Sequence, residues 1–83
     1  MTPNALTLLK VGDEVVELDA VGNIVLQTRA VVIEVQRTPA ITYVYTDSED
    51  YRCYPFNTST GEAQLAEWGF DGRETRIDIA KLV

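Results

Sequence analysis

The stretch Thr42–Phe56, TYVYTDSEDYRCYPF, gathers the side chains best able to do chemistry. Tyr43, Tyr45, Tyr51, Tyr54 and Phe56 flank the acids Asp47, Glu49 and Asp50, with Arg52 and Cys53 among them. The acids could ligate calcium, but a calcium loop of the EF-hand kind spreads its oxygens over about twelve residues, with a glycine midway and a distal glutamate. Here no glycine is present and aromatic residues close on both sides. A solvated turn is therefore expected, with the short Asp and Ser side chains bonding back to the local backbone. A nucleophilic cysteine needs a base, usually histidine, and the chain has one Cys and no His. Cys53 is accordingly read as an inert thiol, and a tetrahedral zinc site has too few ligands in one subunit.

The aromatic residues allow two readings. Cross-strand aromatic pairs stabilise hairpins, and tyrosine suits subunit contacts because it joins a large apolar body to a polar tip. The same rings could stack bases, as in barrels that bind single strands. A stacking platform sits in a cationic groove, however, and only Arg52 lies among these tyrosines. Packing or subunit contact is the preferred reading for Tyr43, Tyr45, Tyr51, Tyr54 and Phe56. Trp68 and Phe70, bracketed by Glu67 and Asp71, form a second apolar cluster. They read as a lid over one end of the fold or as an anchor facing a partner, a role in which Trp is favoured. Ile77 and Ile79 join the candidate contact set on the last strand. Arg29, Arg37, Arg52, Arg73 and Arg76 are scattered among acids and read as salt-bridged surface. No paired carboxylates are marked as acid and base, and no glycine-rich phosphate loop occurs. No catalytic, cofactor or metal residues are assigned, and the chain is read as non-enzymatic.

These residues must be held by a small scaffold. Residues 1–83 form a single domain whose modest core leaves a thin margin of stability, one that small domains often recover by oligomerising. The composition, 46% hydrophobic and 24% charged, is globular, and the net charge of -6 opposes general attraction to phosphate backbones. No apolar run approaches the ~20 residues of a membrane span. The opening residues lack the features of a signal peptide. With one cysteine and no intrachain disulfide, a cytoplasmic setting is expected.

Residues 1–10 predict a short helix, or else an arm, with Thr2 as its cap, Pro3 in the first turn, and Leu6 and Leu9 on one face. Beyond Gly12 the period becomes two. Val16 and Leu18 alternate with Glu17 and Asp19. Val21-Gly22-Asn23 marks a turn. The run from Ile24 to Thr38 is long for a strand and predicts a bend or bulge at Thr28-Arg29-Ala30. Pro39 breaks the pattern. ITYVYT puts Ile41, Tyr43 and Tyr45 on one face and Thr42, Val44 and Thr46 on the other. The segment EAQLAEWGF is ambiguous between a helical turn and an irregular strand. Asp71-Gly72 marks a tight turn, and Ile77 and Ile79 alternate in a final strand. About five short strands and one small helix predict an all-β domain, a strongly bent five-stranded barrel that is partly open.

The phrase Lys10-Val11-Gly12-Asp13-Glu14-Val15-Val16 resembles the opening strand of SH3-like small barrels. The segment from Val32 through Gly61, with the phrases Thr38-Pro39-Ala40-Ile41 and Phe56-Asn57-Thr58-Ser59-Thr60-Gly61, resembles small barrel proteins of phage genomes, cyanophage among them. A helix followed by a strongly bent five-stranded sheet is similar to the Sm-like fold. That resemblance implies self-assembly, because Sm-like subunits pair the fourth strand of one copy with the fifth of the next. A homo-oligomer is expected, in closed form a ring of about five to seven copies. It also implies a host cytoplasm as the setting. An RNA-binding alternative would use Arg52, Tyr54, Asn57 and Arg73, although Gly72-Arg73 reverses the order of the Arg-Gly or Lys-Gly pair of Sm proteins. A further alternative is a phage inhibitor that docks on a host protein through an acidic surface.

Overall fold

The computed structural model describes residues 1–82. One helix precedes seven strands: α1 (Pro3–Leu8), β1 (Glu14–Leu18), β2 (Ile24–Arg37), β3 (Ile41–Thr46), β4 (Cys53–Asn57), β5 (Ala66–Trp68), β6 (Glu74–Arg76) and β7 (Ile79–Lys81). The chain is mostly β with one short helix, as expected. The expected five-stranded barrel needs correction. Five strands do share one sheet, in the order β4-β3-β2-β1-β7, but β4 and β7 are not paired and the sheet is not closed. The remaining strands, β5 and β6, form a separate two-stranded ribbon. The physical reason lies in the segment whose periodicity was ambiguous: part of it pairs with Glu74–Arg76, and β7 is left only three residues long.

The helix forms for the reasons its sequence advertises. Thr2 Oγ1 accepts from the Ala5 N–H at 3.1 Å, and Pro3 stands at the start, where no amide proton is needed. Its length of six residues is too short to be stable alone. Burial of Leu6 and Leu9 against the sheet holds it. So does Arg37, whose Nη2 donates to the carbonyls of Leu6, Thr7 and Leu9 at 3.3, 3.2 and 2.6 Å. A guanidinium thus satisfies the carbonyls that a helix end leaves open.

Two irregularities shape the long strand β2. Between Val15↔Ala30 and Glu17↔Val25 the register shifts, so that residues 26–29 face the single residue Val16. Thr28 fastens this bend: its hydroxyl accepts from the Glu17 N–H at 2.8 Å and donates to the Val25 carbonyl at 2.6 Å. A second shift between Val32 and Glu34 makes Ile33 an extra residue, left 56% exposed. Bending at these points lets β2 pair with β1 along its first part and with β3 along its last.

The core gathers Leu6, Leu9, Val15, Val32, Val44, Tyr54, Phe56, Ala63, Ile77 and Ile79. On β3 the buried face is Thr42, Val44 and Thr46, not the tyrosine face. Both threonines are satisfied there, Thr42 by the Thr58 hydroxyl at 2.9 Å and Thr46 by donating to the Tyr51 carbonyl at 3.1 Å. No buried side-chain nitrogen or oxygen among the described residues lacks a hydrogen-bond partner.

Candidate interaction site

The ribbon β5–β6 carries the most exposed aromatic side chains of the molecule. Ala66 pairs with Arg76, Glu67 with Thr75 and Trp68 with Glu74. The hairpin closes through Gly72 N–H to the Gly69 carbonyl at 3.0 Å and Gly69 N–H to the Arg73 carbonyl at 2.9 Å. Gly72 takes φ +76°, the left-handed conformation that ends a three-residue hairpin loop. The loop holds Phe70 at the tip, fully in solvent, and Trp68 is 71% exposed. Neither covers the core, so the lid reading of this cluster does not hold. A two-stranded ribbon is marginal by itself. This one is tied to the body at its base, where the Ile77 N–H donates to the Leu65 carbonyl at 2.8 Å and Ile77 enters the core.

A second feature lies along β7. Leu18 N–H bonds the Asp78 carbonyl, and Leu82 N–H bonds the Glu14 carbonyl. Ala80 therefore turns its backbone groups to β1, and Ile79 and Lys81 turn theirs away. Ile79 N–H is met by its neighbour's carboxylate, Asp78 Oδ1, at 2.8 Å. The Ile79 carbonyl and both backbone groups of Lys81 form an edge with which no strand pairs among the described residues. Beside this edge runs a groove of about 410 Å³, with walls that include Ala5, Leu8, Leu18, Ile79, Ala80 and Lys81. Leu8, on the outer face of α1, is 68% exposed. The Met1 amino group pairs with Asp78 at 2.6 Å and closes one end.

The opposite border of the sheet is different. Pro55 of β4 has no N–H, and its carbonyl accepts from the Gln64 N–H at 2.9 Å. Asn57 N–H is taken by the Glu62 carbonyl at 2.9 Å. The chain thus covers most of the β4 edge from within.

Against this geometry the candidate residues separate clearly. Tyr54, Phe56, Ile77 and Ile79 are at 1%, 0%, 6% and 1% exposure, and their side chains are committed to the core. Tyr43, Tyr45 and Tyr51 are half-buried, and only Trp68 of that set stands in solvent. The four RNA candidates do not converge. Arg52 is exposed just before β4, and Tyr54 points inward. The Asn57 carboxamide oxygen accepts from the Ser59 and Thr60 N–H groups at 2.9 and 3.0 Å. Arg73 sits on the ribbon near Asp71, 3.7 Å away. Sequence reasoning reached the last strand's edge only through the Sm-like resemblance and passed over the groove, whose walls come from segments far apart in the chain. It also assigned Arg37 to the surface, where its helix-capping role has no local motif.

In the Asp47–Asp50 loop it is Ser48 that bonds back locally, its hydroxyl accepting from the Asp50 N–H at 3.3 Å, whereas Asp47 reaches across to β2. Asp47 Oδ1 accepts from the Val31 N–H at 2.8 Å. No group of His, Cys, Asp and Glu among the described residues is arranged to hold a metal ion. Burial pushes the Cys53 thiol above its ordinary range, partly offset by its hydrogen bond with Tyr45, so the reactive thiolate is disfavoured. Among the described residues, no helix is long and apolar enough to cross a membrane.

Tyr54 is a buried structural phenol, donating to Glu17 Oε2 at 2.8 Å. Burial above all, then the Glu17 carboxylate, raises its pKa well above the usual 10.0. The phenol is neutral in both folded and unfolded chains below about pH 10, so its contribution is intact there. It is lost as the pH climbs from that value towards the raised one. Tyr54→Phe is expected to destabilise the fold by roughly 0.5–1.5 kcal/mol at neutral pH, the net value of one such bond. The variant should also lack this share of the alkaline decline, which denaturant titrations at about pH 7 and about pH 11 would measure. A variant whose stability falls in parallel with the parent's above about pH 10 would contradict the assignment.

Compared with protein-family models, with curated proteins and with solved structures, the chain matches none.

Proposed function

We propose that the protein is a non-enzymatic binding or scaffold protein that assembles with copies of itself. The observation that carries this reading is the pairing of solvent-exposed Trp68 and Phe70 with an open β7 edge beside an apolar groove. Large apolar side chains gathered on a small monomer mark interaction sites, and an unpaired strand edge invites another chain. An 83-residue chain gains from such contacts the burial that its own core supplies only in part.

The fold favours the Sm-like or SH3-like comparison in one respect. A short helix leads into a bent sheet whose last strand returns beside its first. Counted along the chain, β4 and β7 are the fourth and fifth strands of that sheet and its two borders. Those are the strands that Sm-like subunits pair between copies. Because β4 is covered by its own following loop, β7 is the border through which assembly proceeds here. A closed ring is the favoured form, since a head-to-tail contact either closes or grows without limit.

Size exclusion with light scattering at micromolar concentration tests the reading. A defined multiple of the 9.3 kDa subunit is expected. A single subunit mass throughout the micromolar range would overturn it.

A further inference from the structure

We infer that the β5–β6 ribbon of one copy docks on the β7 edge of the next, seating Trp68 and Phe70 in the groove beneath α1. The inference deepens the self-assembly reading and rests on it.

The two surfaces fit in several ways. The groove, about 410 Å³, is of a size to take bulky aromatic side chains. Ala5, Leu8, Leu18 and Ala80 give it apolar walls. Among the described residues no third strand joins the ribbon, and β5, β6 and β7 are each three residues long, so a strand added to β7 need not overhang. The alternative donor edge, β4, is closed by Pro55 and by the bonds from Gln64 and to Glu62. Lys81 stands at the groove's rim, its ammonium 3.5 Å from Asp13 Oδ1 and half of its side chain exposed, and the ribbon brings Glu67, which, unlike Asp71 and Glu74, has no ion-pair partner within the subunit among the described residues. Two aromatic side chains bury roughly 300–500 Å². With a comparable area from the groove walls and edge, the contact reaches roughly 600–1,000 Å², the size of a weak contact and below the roughly 1,200 Å² of a stable specific one. A ring gives every copy two such contacts, so closure strengthens an individually weak junction.

Both surfaces lie on exposed side chains, so each can be removed without touching the core. Trp68→Ala/Phe70→Ala lacks the tip, and Leu8→Glu places a charge in the groove. Each variant alone is expected to run as the 9.3 kDa subunit with an unchanged far-ultraviolet spectrum. Mixed in equal amounts, at a concentration raised to compensate for the lost ring closure, they should form a dimer and nothing larger, since one supplies the intact tip and the other the intact groove. Trp68 is the sole tryptophan, so in the parent protein its emission should shift to shorter wavelength as concentration rises, and in Leu8→Glu it should not. Ile24→Glu/Leu26→Glu, on the exposed β1–β2 hairpin, should assemble like the parent. If the parent multimer survives in both the tip and groove variants, or only the hairpin variant dissociates, this contact is wrong and self-assembly stands. If the parent itself is a single subunit, both fall together.

Discussion

Gly61→Ala should destabilise the protein by about 3 kcal/mol or more, whereas Gly22→Ala and Gly72→Ala should each cost about 1 kcal/mol. All three glycines adopt positive φ, at +74°, +86° and +76°. The conformational penalty of a side chain is therefore similar at each. What differs is space. A methyl group at Gly22 or Gly72 meets nothing within 4 Å, but at Gly61 it runs into the backbone of the chain's start, 2.7 Å from the Thr2 carbonyl carbon and 2.8 Å from the Pro3 nitrogen. Backbone held by a helix cap and an ion pair cannot yield as a flexible side chain does. Relief would require α1 to lift, which exposes Leu6 and Leu9 and breaks the Met1–Asp78 pair. Two buried leucines are worth about 1.5–3 kcal/mol each, against the roughly 5–15 kcal/mol that holds a domain together. Denaturant midpoints compared at constant slope would measure the difference. Equal losses at Gly61 and Gly22 would show that the helix is free to move and that the packing described here does not constrain it.

How much of this could be read from the residues follows a physical division. Local chemistry was legible. The Thr2 cap, Pro3, the turn at Val21-Gly22-Asn23, the tight turn at Asp71-Gly72 and the bend near Thr28 each depend on side chains close in sequence, and each is present. Alternation was legible only between bulges. Ile33 is an extra residue, so the alternation of β2 breaks there: Val32 faces the core before the bulge, while Val35 packs against it afterwards. On β3 the right alternation was seen, but the core side proved to be Thr42, Val44 and Thr46. Hydroxyls can be buried there because partners from β4 and its flanks satisfy them. Such pairings are nonlocal and leave no trace in a single strand.

The site was legible in part. Trp68 was read first as a lid and otherwise as an anchor, and it stands in solvent; the tyrosine hairpin, which looked the richer surface, gives Tyr54 and Phe56 to the core. Composition does not tell which parity of a strand is inward when both contain apolar atoms. The last strand was expected as a contact through the Sm-like resemblance, but which border of the sheet stays open was not legible. Whether a final strand leaves a border open depends on where the intervening residues go, and Glu62–Gln64 cover β4 while no strand among the described residues pairs with the outer edge of β7.

The chain's two phenylalanines show how fully position, not residue type, decides a role. Phe56→Ala should cost about 3–5 kcal/mol, the range for removing a buried aromatic ring. Phe56 has no exposure, pairs with Thr42 on one side and bridges Ala63 on the other, and lies in the same cluster as Tyr54, Ile77 and Ile79. Little can collapse into the space it leaves, because β3 on one side and the bridge to Ala63 on the other fix the backbone around it. At about 4–8 °C per kcal/mol for a domain of this size, the melting temperature should fall by at least about 12 °C. Phe70→Ala, at a concentration low enough for separate subunits, should change stability by no more than about 0.5 kcal/mol, as exposed substitutions do. At higher concentration the order reverses in what matters: Phe70→Ala should weaken assembly while its fold is intact, and Phe56→Ala should lose assembly only as it unfolds. Thermal melts at two concentrations, followed by circular dichroism and light scattering together, separate the two effects. Should Phe70→Ala destabilise the isolated subunit as much as Phe56→Ala, the ribbon tip would belong to the core, and its role as a contact would have to be abandoned.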